Sequence, residues 1–208
     1  AALISLALAG QGHSVTLAYL PYVNWRRPLN RFDLRRQDIY LRSILDQTKP
    51  FIQVLSLLEV KPTITLPDSL LKELEDVSRR DTQYTLQIEE FDHLEADQKD
   101  ISRLYNLRIQ RNQAAAAALI SWVNNLRAEQ RPEVIVTPNG SILEMGAIYQ
   151  AARHLTIPVT TYEFGEQRQR IWFAQNDEVM QQNTIEMWQQ RQHRSLTPQQ
   201  WEQIQTLY

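Results

Sequence analysis

Residues 133–163 constrain the fold more than any other stretch, because they read as strand, turn, helix and strand in succession. Glu133-Val134-Ile135-Val136-Thr137 is a β-branched apolar run of strand length, expected to be buried. Pro138-Asn139-Gly140 turns the chain. Ser141-Ile142-Leu143-Glu144 has the spacing of a capping box, in which serine and glutamate satisfy each other's free backbone donors. The helix then places Met145, Ile148, Ala152 and Leu155 on one face, and Pro158-Val159-Thr160-Thr161-Tyr162 follows as a strand. A strand–helix–strand unit of this length fits a parallel sheet with a right-handed crossover. The strands at 134–137 and 159–162 are therefore expected to be neighbours or near-neighbours.

The chain opens on a second piece of the same pattern. Ala1 to Gly10 is apolar and reads as a core helix, closed by Gly10-Gln11-Gly12-His13. Val15 to Leu20 follows as a buried strand. Helix, glycine turn and strand form the second half of a βαβ unit, so a preceding strand and any phosphate-cradling glycine loop are expected to lie before Ala1. The stretch is too short to span a bilayer, which takes roughly 20 apolar residues. It also has no preceding basic segment or cleavage site of the kind a signal peptide carries.

Between these pieces the spacing predicts a short helix over Asp38–Leu45, a strand over Phe51–Leu58, and a helix from Pro67-Asp68-Ser69 to about Arg79 with Asp68 as its cap. Weak alternation predicts a strand at 83–91, and a helix spans about Asp97 to Arg127. The alanines at 114–118 suit close approach of a neighbouring backbone. Near the C-terminus, Trp188 sits in one helical stretch and Thr197-Pro198-Gln199-Gln200 starts another with a capping box. The whole chain, 1–208, is expected to form a single α/β domain, Rossmann-like, with a mainly parallel sheet and helices on both faces, lacking its first strand.

Composition narrows the chemistry. With no cysteine, the chain has no disulfide framework, cysteine nucleophile or thiolate metal site, and it fits a reducing, cytoplasmic compartment. A formal net charge of -2 provides no global field for nucleic acid or an anionic membrane. The four histidines are scattered without a close carboxylate cluster, so no metal site and no cofactor are expected. His13 lies at the end opposite the carboxyl edge of the strands and reads as structural. The basic segment with Arg26, Arg27, Arg31, Arg35, Arg36 and Arg42 is a candidate contact for lipid-linked phosphates at a membrane. Asp33, Asp38 and Asp46 dilute its charge, which favours a solvated helix.

Ligands of open parallel sheets bind outside the carboxyl ends of the strands, where loops converge and helix amino ends present free N–H groups. Two segments meet that condition. Asn139, Gly140 and Ser141 precede a helix, and Glu163 to Arg170 directly follows a strand. Glu163 and Glu166 are candidates for acid–base work, with solvated surface as the alternative. Asn139 can bond a hydroxyl or simply cap the helix. Gly165 allows a tight turn, and Arg168 and Arg170 can hold a diphosphate or serve only as surface charge.

The stretch from Val134 to Asn176 resembles the N-terminal domains of GT-B glycosyltransferases, especially those of bacterial polysaccharide assembly. The likeness is carried by the strand, the Asn139-Gly140 turn, Ala-Ala-Arg-x-Leu-x-Ile-Pro-Val at 151–159 and Glu163-Phe164-Gly165; the helix and strand at 1–20 match the start of such domains. What the resemblance implies is an acceptor-binding domain for a saccharide or lipid-linked acceptor. The nucleotide-sugar donor would be held mainly by a C-terminal domain outside this sequence, leaving the isolated chain inactive. A non-catalytic α/β ligand-binding or interaction module is the alternative, since fold alone does not dictate function.

Overall fold

A computed structural model of the protein describes residues 1–20, 31–89, 98–165, 170–181 and 184–206. The fold is α/β, with two small sheets and a predominance of helix. Helix α1 (Ala2–Gly10) closes where Gly12 takes a φ of 92°, letting the His13 N–H reach the Leu8 carbonyl at 3.2 Å. Strand β1 (Thr16–Tyr19) pairs in parallel with β2 (Gln53–Ser56), Thr16 opposite Gln53 and Tyr19 opposite Ser56. Helix α2 (Arg31–Thr48) makes the crossover and is longer than the short helix expected. Arg26 and Arg27 of the basic segment lie outside the described residues. The chain leaves β2 through a 3-10 turn at Leu57–Glu59, so the strand is shorter than the apolar run.

Helix α3 (Asp68–Leu86) corrects two expectations. Its cap position is Pro67 in extended conformation, and Asp68 is the first helical residue with no capping bond; its carboxylate complements the positive end of the helix dipole instead. The helix runs on to Leu86, taking up the first part of the expected strand at 83–91, and closes at a left-handed Gln87 with φ 55°; the last part of that segment lies outside the described residues. The reason is that its inward stripe turns polar. Leu70, Leu74 and Val77 are followed on the same face by Ser78, Asp81 and Thr82, all buried. These meet α4 (Gln98–Asn125), where Asp81 Oδ2 lies 2.9 Å from Arg108 Nε and Asn112 Nδ2 donates to Ser78 Oγ at 2.9 Å.

The alanine run behaves as expected. Ala115 and Ala116 of α4 are fully buried and share one core with Leu74, Leu119, Ile120 and Val123, and with Ala147 and Ala151 of α5 (Leu143–His154). Strand β3 (Ile135–Pro138) and β4 (Val159–Phe164) are parallel neighbours, Ile135 opposite Val159 and Pro138 opposite Tyr162, with α5 as the crossover. β3 is not buried on both sides as the apolar run suggested. Ile135 and Thr137 face α5, whereas Val134 and Val136 are exposed.

Strand β5 (Ile171–Gln175), absent from the sequence reading, runs antiparallel to β4. The sheets are thus β1–β2 and the mixed β3–β4–β5 rather than one mainly parallel sheet. α5 lies on one face of the second sheet, and Phe164, Ile171 and Phe173 are exposed on the other, so among the described residues helices on both faces are not seen there. The chain ends with α6 (Ile185–Arg191), which carries an exposed Trp188, and α7 (Pro198–Gln205), whose Thr197–Gln200 capping box is present as expected. Among the described residues, no helix is long and apolar enough to cross a membrane.

The tight α5 packing leads to a mutational test. Alanine in place of a mid-helix glycine ordinarily stabilises by roughly 0.5–1 kcal/mol. At Gly146, however, a Cβ would come 2.8 Å from Val77 Cγ1 and 2.9 Å from the Ser141 carbonyl carbon. Overpacking of this kind costs about 1–3 kcal/mol, so Gly146→Ala should lower the thermal midpoint by a few degrees. A raised midpoint would mean the helix is not seated this closely.

Candidate functional site

The site forms where β3 ends and β4 continues. The last β3 pairing is Pro138 with Tyr162, but β4 runs on to Phe164, now paired only with β5. Strand alternation places Val159, Thr161 and Glu163 on the face that α5 covers. Val159 packs on Tyr149 and Ala152 of that helix, whereas Glu163 lies past the end of β3 and is half-exposed.

The connection from β3 to α5 is held in an unusual backbone path. Asn139, Gly140 and Leu143 have φ values of 56°, 87° and 55°. A left-handed leucine is disfavoured, and such strain persists only when surrounding contacts over-determine it. Several contacts do so here. Asn139 Oδ1 accepts from the Ser141 N–H at 3.0 Å, and the Asn139 N–H donates to the Tyr162 carbonyl at 2.8 Å. Gly140 lies so close to β4 that a Cβ there would sit 2.5 Å from Thr161 Cγ2.

The capping box expected at Ser141–Glu144 does not form. The cap position is Ile142, without a side-chain capping bond. Glu144 instead pairs with Arg111 of α4, and a guanidinium is a stronger partner than a lone backbone N–H. Ser141 Oγ is buried and finds no hydrogen-bond partner among the described residues. Asn139 thus stabilises the turn before the helix rather than capping it.

Glu163 is pinned at both oxygens. Oε2 accepts from Asn139 Nδ2 at 3.2 Å and Oε1 from the Phe164 N–H at 3.2 Å. A carboxylate offers about four lone-pair positions, so two hydrogen bonds fix its orientation and leave capacity for an incoming hydroxyl. The nearby phenols are poor rivals as bases. Burial raises both Tyr149 and Tyr162 above the usual tyrosine range, and Tyr149 Oη donates to the Asn176 carbonyl at 3.3 Å. Among the described residues there is no group of three or more histidines and carboxylates able to hold a metal ion.

Of the residues singled out in the sequence, the fold brings Asn139, Gly140, Ser141 and Glu163 together. Glu163 does not sit in an open loop after a parallel strand. Glu163 lies within β4, and the Gly165 N–H donates to the Arg170 carbonyl at 3.1 Å across the end of a hairpin. Arg170 is exposed there, and Glu166 and Arg168 lie outside the described residues. His13 is exposed in the turn after α1. The sequence reading missed Arg111 and Trp172. Arg111 had no signal, because its partner is distant in sequence. Trp172 had one, since a β-branched and aromatic run soon after a strand and a glycine is a hairpin pattern.

Compared with known proteins, the chain matches no family model, no curated protein and no solved structure.

The approach of Gly140 to β4 is testable by a double-mutant cycle. Gly140→Ala combines a left-handed φ with a clash against Thr161 Cγ2, a loss of about 2–4 kcal/mol in urea unfolding. Thr161→Ser removes that methyl while keeping the hydroxyl that donates to the Asp177 carbonyl at 2.6 Å. In the serine background Gly140→Ala should therefore cost less, with the backbone strain remaining. Equal costs in both backgrounds would contradict the packing described here.

Proposed function

We propose that this chain is the acceptor-side domain of a cytoplasmic sugar-transfer enzyme of the GT-B type. In this reading Glu163 is the group that receives the acceptor hydroxyl. The observation that carries the proposal is the placement of Glu163: a carboxylate oriented by Asn139, past the carboxyl end of β3 and beside the amino end of α5. In parallel sheets this edge collects ligands, because strand ends and helix amino ends converge there.

The chemistry would be attack of an acceptor oxygen on the anomeric carbon of a nucleotide-activated sugar. The carboxylate takes the hydroxyl proton as the new C–O bond forms, and the nucleotide leaves with the electrons of the bond it breaks. Ser141 Oγ, buried without a hydrogen-bond partner among the described residues, and the exposed Arg170 just before β5 are further polar groups of this edge. Glu166 and Arg168, outside the described residues, remain candidates. The nucleotide-sugar would be held by a second domain. Glu163→Gln in the full-length protein should lower turnover at least ~10-fold with the fold intact, since positioned acid–base groups contribute roughly 10²–10⁴. Unchanged turnover and acceptor affinity would favour a non-catalytic binding module.

The Rossmann-like form of the fold belongs to the same proposal. In doubly wound sheets the first strand lies between the second and the fourth. Here β1 and β2 would be the second and third strands, and β3 and β4 the fourth and fifth. A strand between β1 and β3 would join the two sheets into one. Three features support it. The edge of β1 away from β2 and that of β3 away from β4 have no strand partner among the described residues. α1 is apolar on every side, yet Leu3 is 81% exposed, whereas a helix of that composition normally has both sides covered. Val134 and Val136 are exposed beside the open edge.

In the full-length protein, the β1 and β3 amides that point away from their present partners should then show slow hydrogen exchange, as central strands do. Exchange at the rate of an exposed edge would rule out the joined sheet.

A further inference from the structure

We infer that Trp172 is the stacking platform of the site, and that the ligand it receives is a pyranose ring whose hydroxyls reach Glu163 and Asn139. The inference rests on reading the site as an acceptor pocket and adds what part of the acceptor is recognised.

Trp172 stands directly opposite Glu163 in the antiparallel β4–β5 ladder, so the two side chains rise from the same face of the sheet. That is the face carrying α5, and past the end of β3 it is open: Trp172 is 59% exposed. The exposed aromatic cluster on the opposite face is a separate surface. There Phe164 and Phe173 contact the buried Tyr162 ring, at centroid distances of 5.9 and 6.3 Å. Trp172 has no part in it.

The indole is also positioned. A Cβ on Gly165 would lie 2.8 Å from Trp172 Nε1 and 3.1 Å from Cδ1, so the pyrrole edge rests against bare backbone at the hairpin end. This gives Gly165 a role the sequence could not specify: it makes room for the indole.

An exposed indole beside an oriented carboxylate and a carboxamide is chemically selective. The indole offers a flat apolar face with a negative quadrupole. A pyranose presents polarised C–H bonds on its ring faces and hydroxyls around its rim. Stacking on Trp172 leaves the rim free to donate to Glu163, whose remaining lone pairs are available. An acyclic polyol has the same hydroxyls without the ring face. A phosphate has no such ring face.

The test measures binding to the full-length protein by saturation-transfer NMR. The probes are the methyl glycosides of glucose, galactose and N-acetylglucosamine, with sorbitol as the acyclic control. At least one glycoside should bind and sorbitol should not. Trp172→Ala should weaken that binding roughly 10-fold, within the range found when a stacking aromatic is removed, while Trp172→Phe retains most of it. Gly165→Ala should also weaken it, by displacing the indole. Because Trp172 is exposed on an edge strand, circular dichroism of the alanine variant should match the parent.

Binding that is unchanged in Trp172→Ala, equal binding of sorbitol, or no glycoside binding at all would each overturn the inference. The transfer reading fails separately. If Trp172→Ala loses glycoside binding but the full-length protein transfers no sugar, the platform stands and the catalytic assignment falls. If turnover depends on Glu163 but glycoside binding ignores Trp172, the reverse holds.

Discussion

The close approach of α5 to α3 and α4 is the constraint on which the rest of the structure depends. Ala147 and Ala151 of α5 are fully buried against Ala115 and Ala116 of α4, and Gly146 lies against Val77 of α3 and the Ser141 carbonyl. Side chains this small let helix backbones approach closely, and dense packing leaves α5 little freedom to shift. Its amino end is thereby fixed relative to β3, and the strained turn through Asn139, Gly140 and Leu143 is the path left to the chain. The Arg111–Glu144 pair also ties the first turn of α5 to α4, one helical turn before Ala115. The position of Glu163 follows from this seam, because Asn139 holds its carboxylate from that turn.

Above the apolar seam, α3 and α4 are joined by polar groups. The side chains of Arg108 and Asp81 are 2% and 1% exposed, and Asn112 and Thr82 are fully buried beside them. Desolvating such a pair offsets much of its attraction, so it is weak evidence for net stability. Losing one partner is a different matter, since a buried charge would then lose its opposite charge. The pair favours one register of α3 on α4, because sliding either helix by a turn would bury both charges unmatched. Arg80, next in the chain, reaches Glu178 at 3.4 Å and so links α3 to the segment that follows β5.

This polar interface also explains what the sequence could and could not reveal. Apolar periodicity made β3, α5 and β4 legible, and their parallel pairing followed from the crossover rule. The alanine run of α4 and the Thr197–Gln200 box were legible for the same kind of reason, local composition with one physical use. The end of α3 was not, because Ser78, Asp81 and Thr82 look like a solvated face until Arg108 and Asn112 are seen to meet them. The capping box at Ser141 failed likewise, since its glutamate was claimed by an arginine distant in sequence. Of the candidate site, the cluster of Asn139, Ser141 and Glu163 was visible as two loops at one sheet edge. Its geometry was not, because β5 turns the second loop into a hairpin.

That hairpin changes what the edge can do. In an all-parallel sheet, the loop after β4 would leave the edge as flexible backbone, and Glu163 would be aimed only by local turns. Pairing with β5 extends β4 past the last residue of β3, so Glu163 projects from regular strand rather than from a loop. Side chains on a strand are held to the pleat, and functional groups on such elements are placed more precisely than on loops. The same pairing sets Trp172 opposite Glu163, where a lone strand would leave an empty flank. A carboxylate and an aromatic face are thus brought together by one antiparallel register, at a sheet edge whose other residues are fixed by a parallel one.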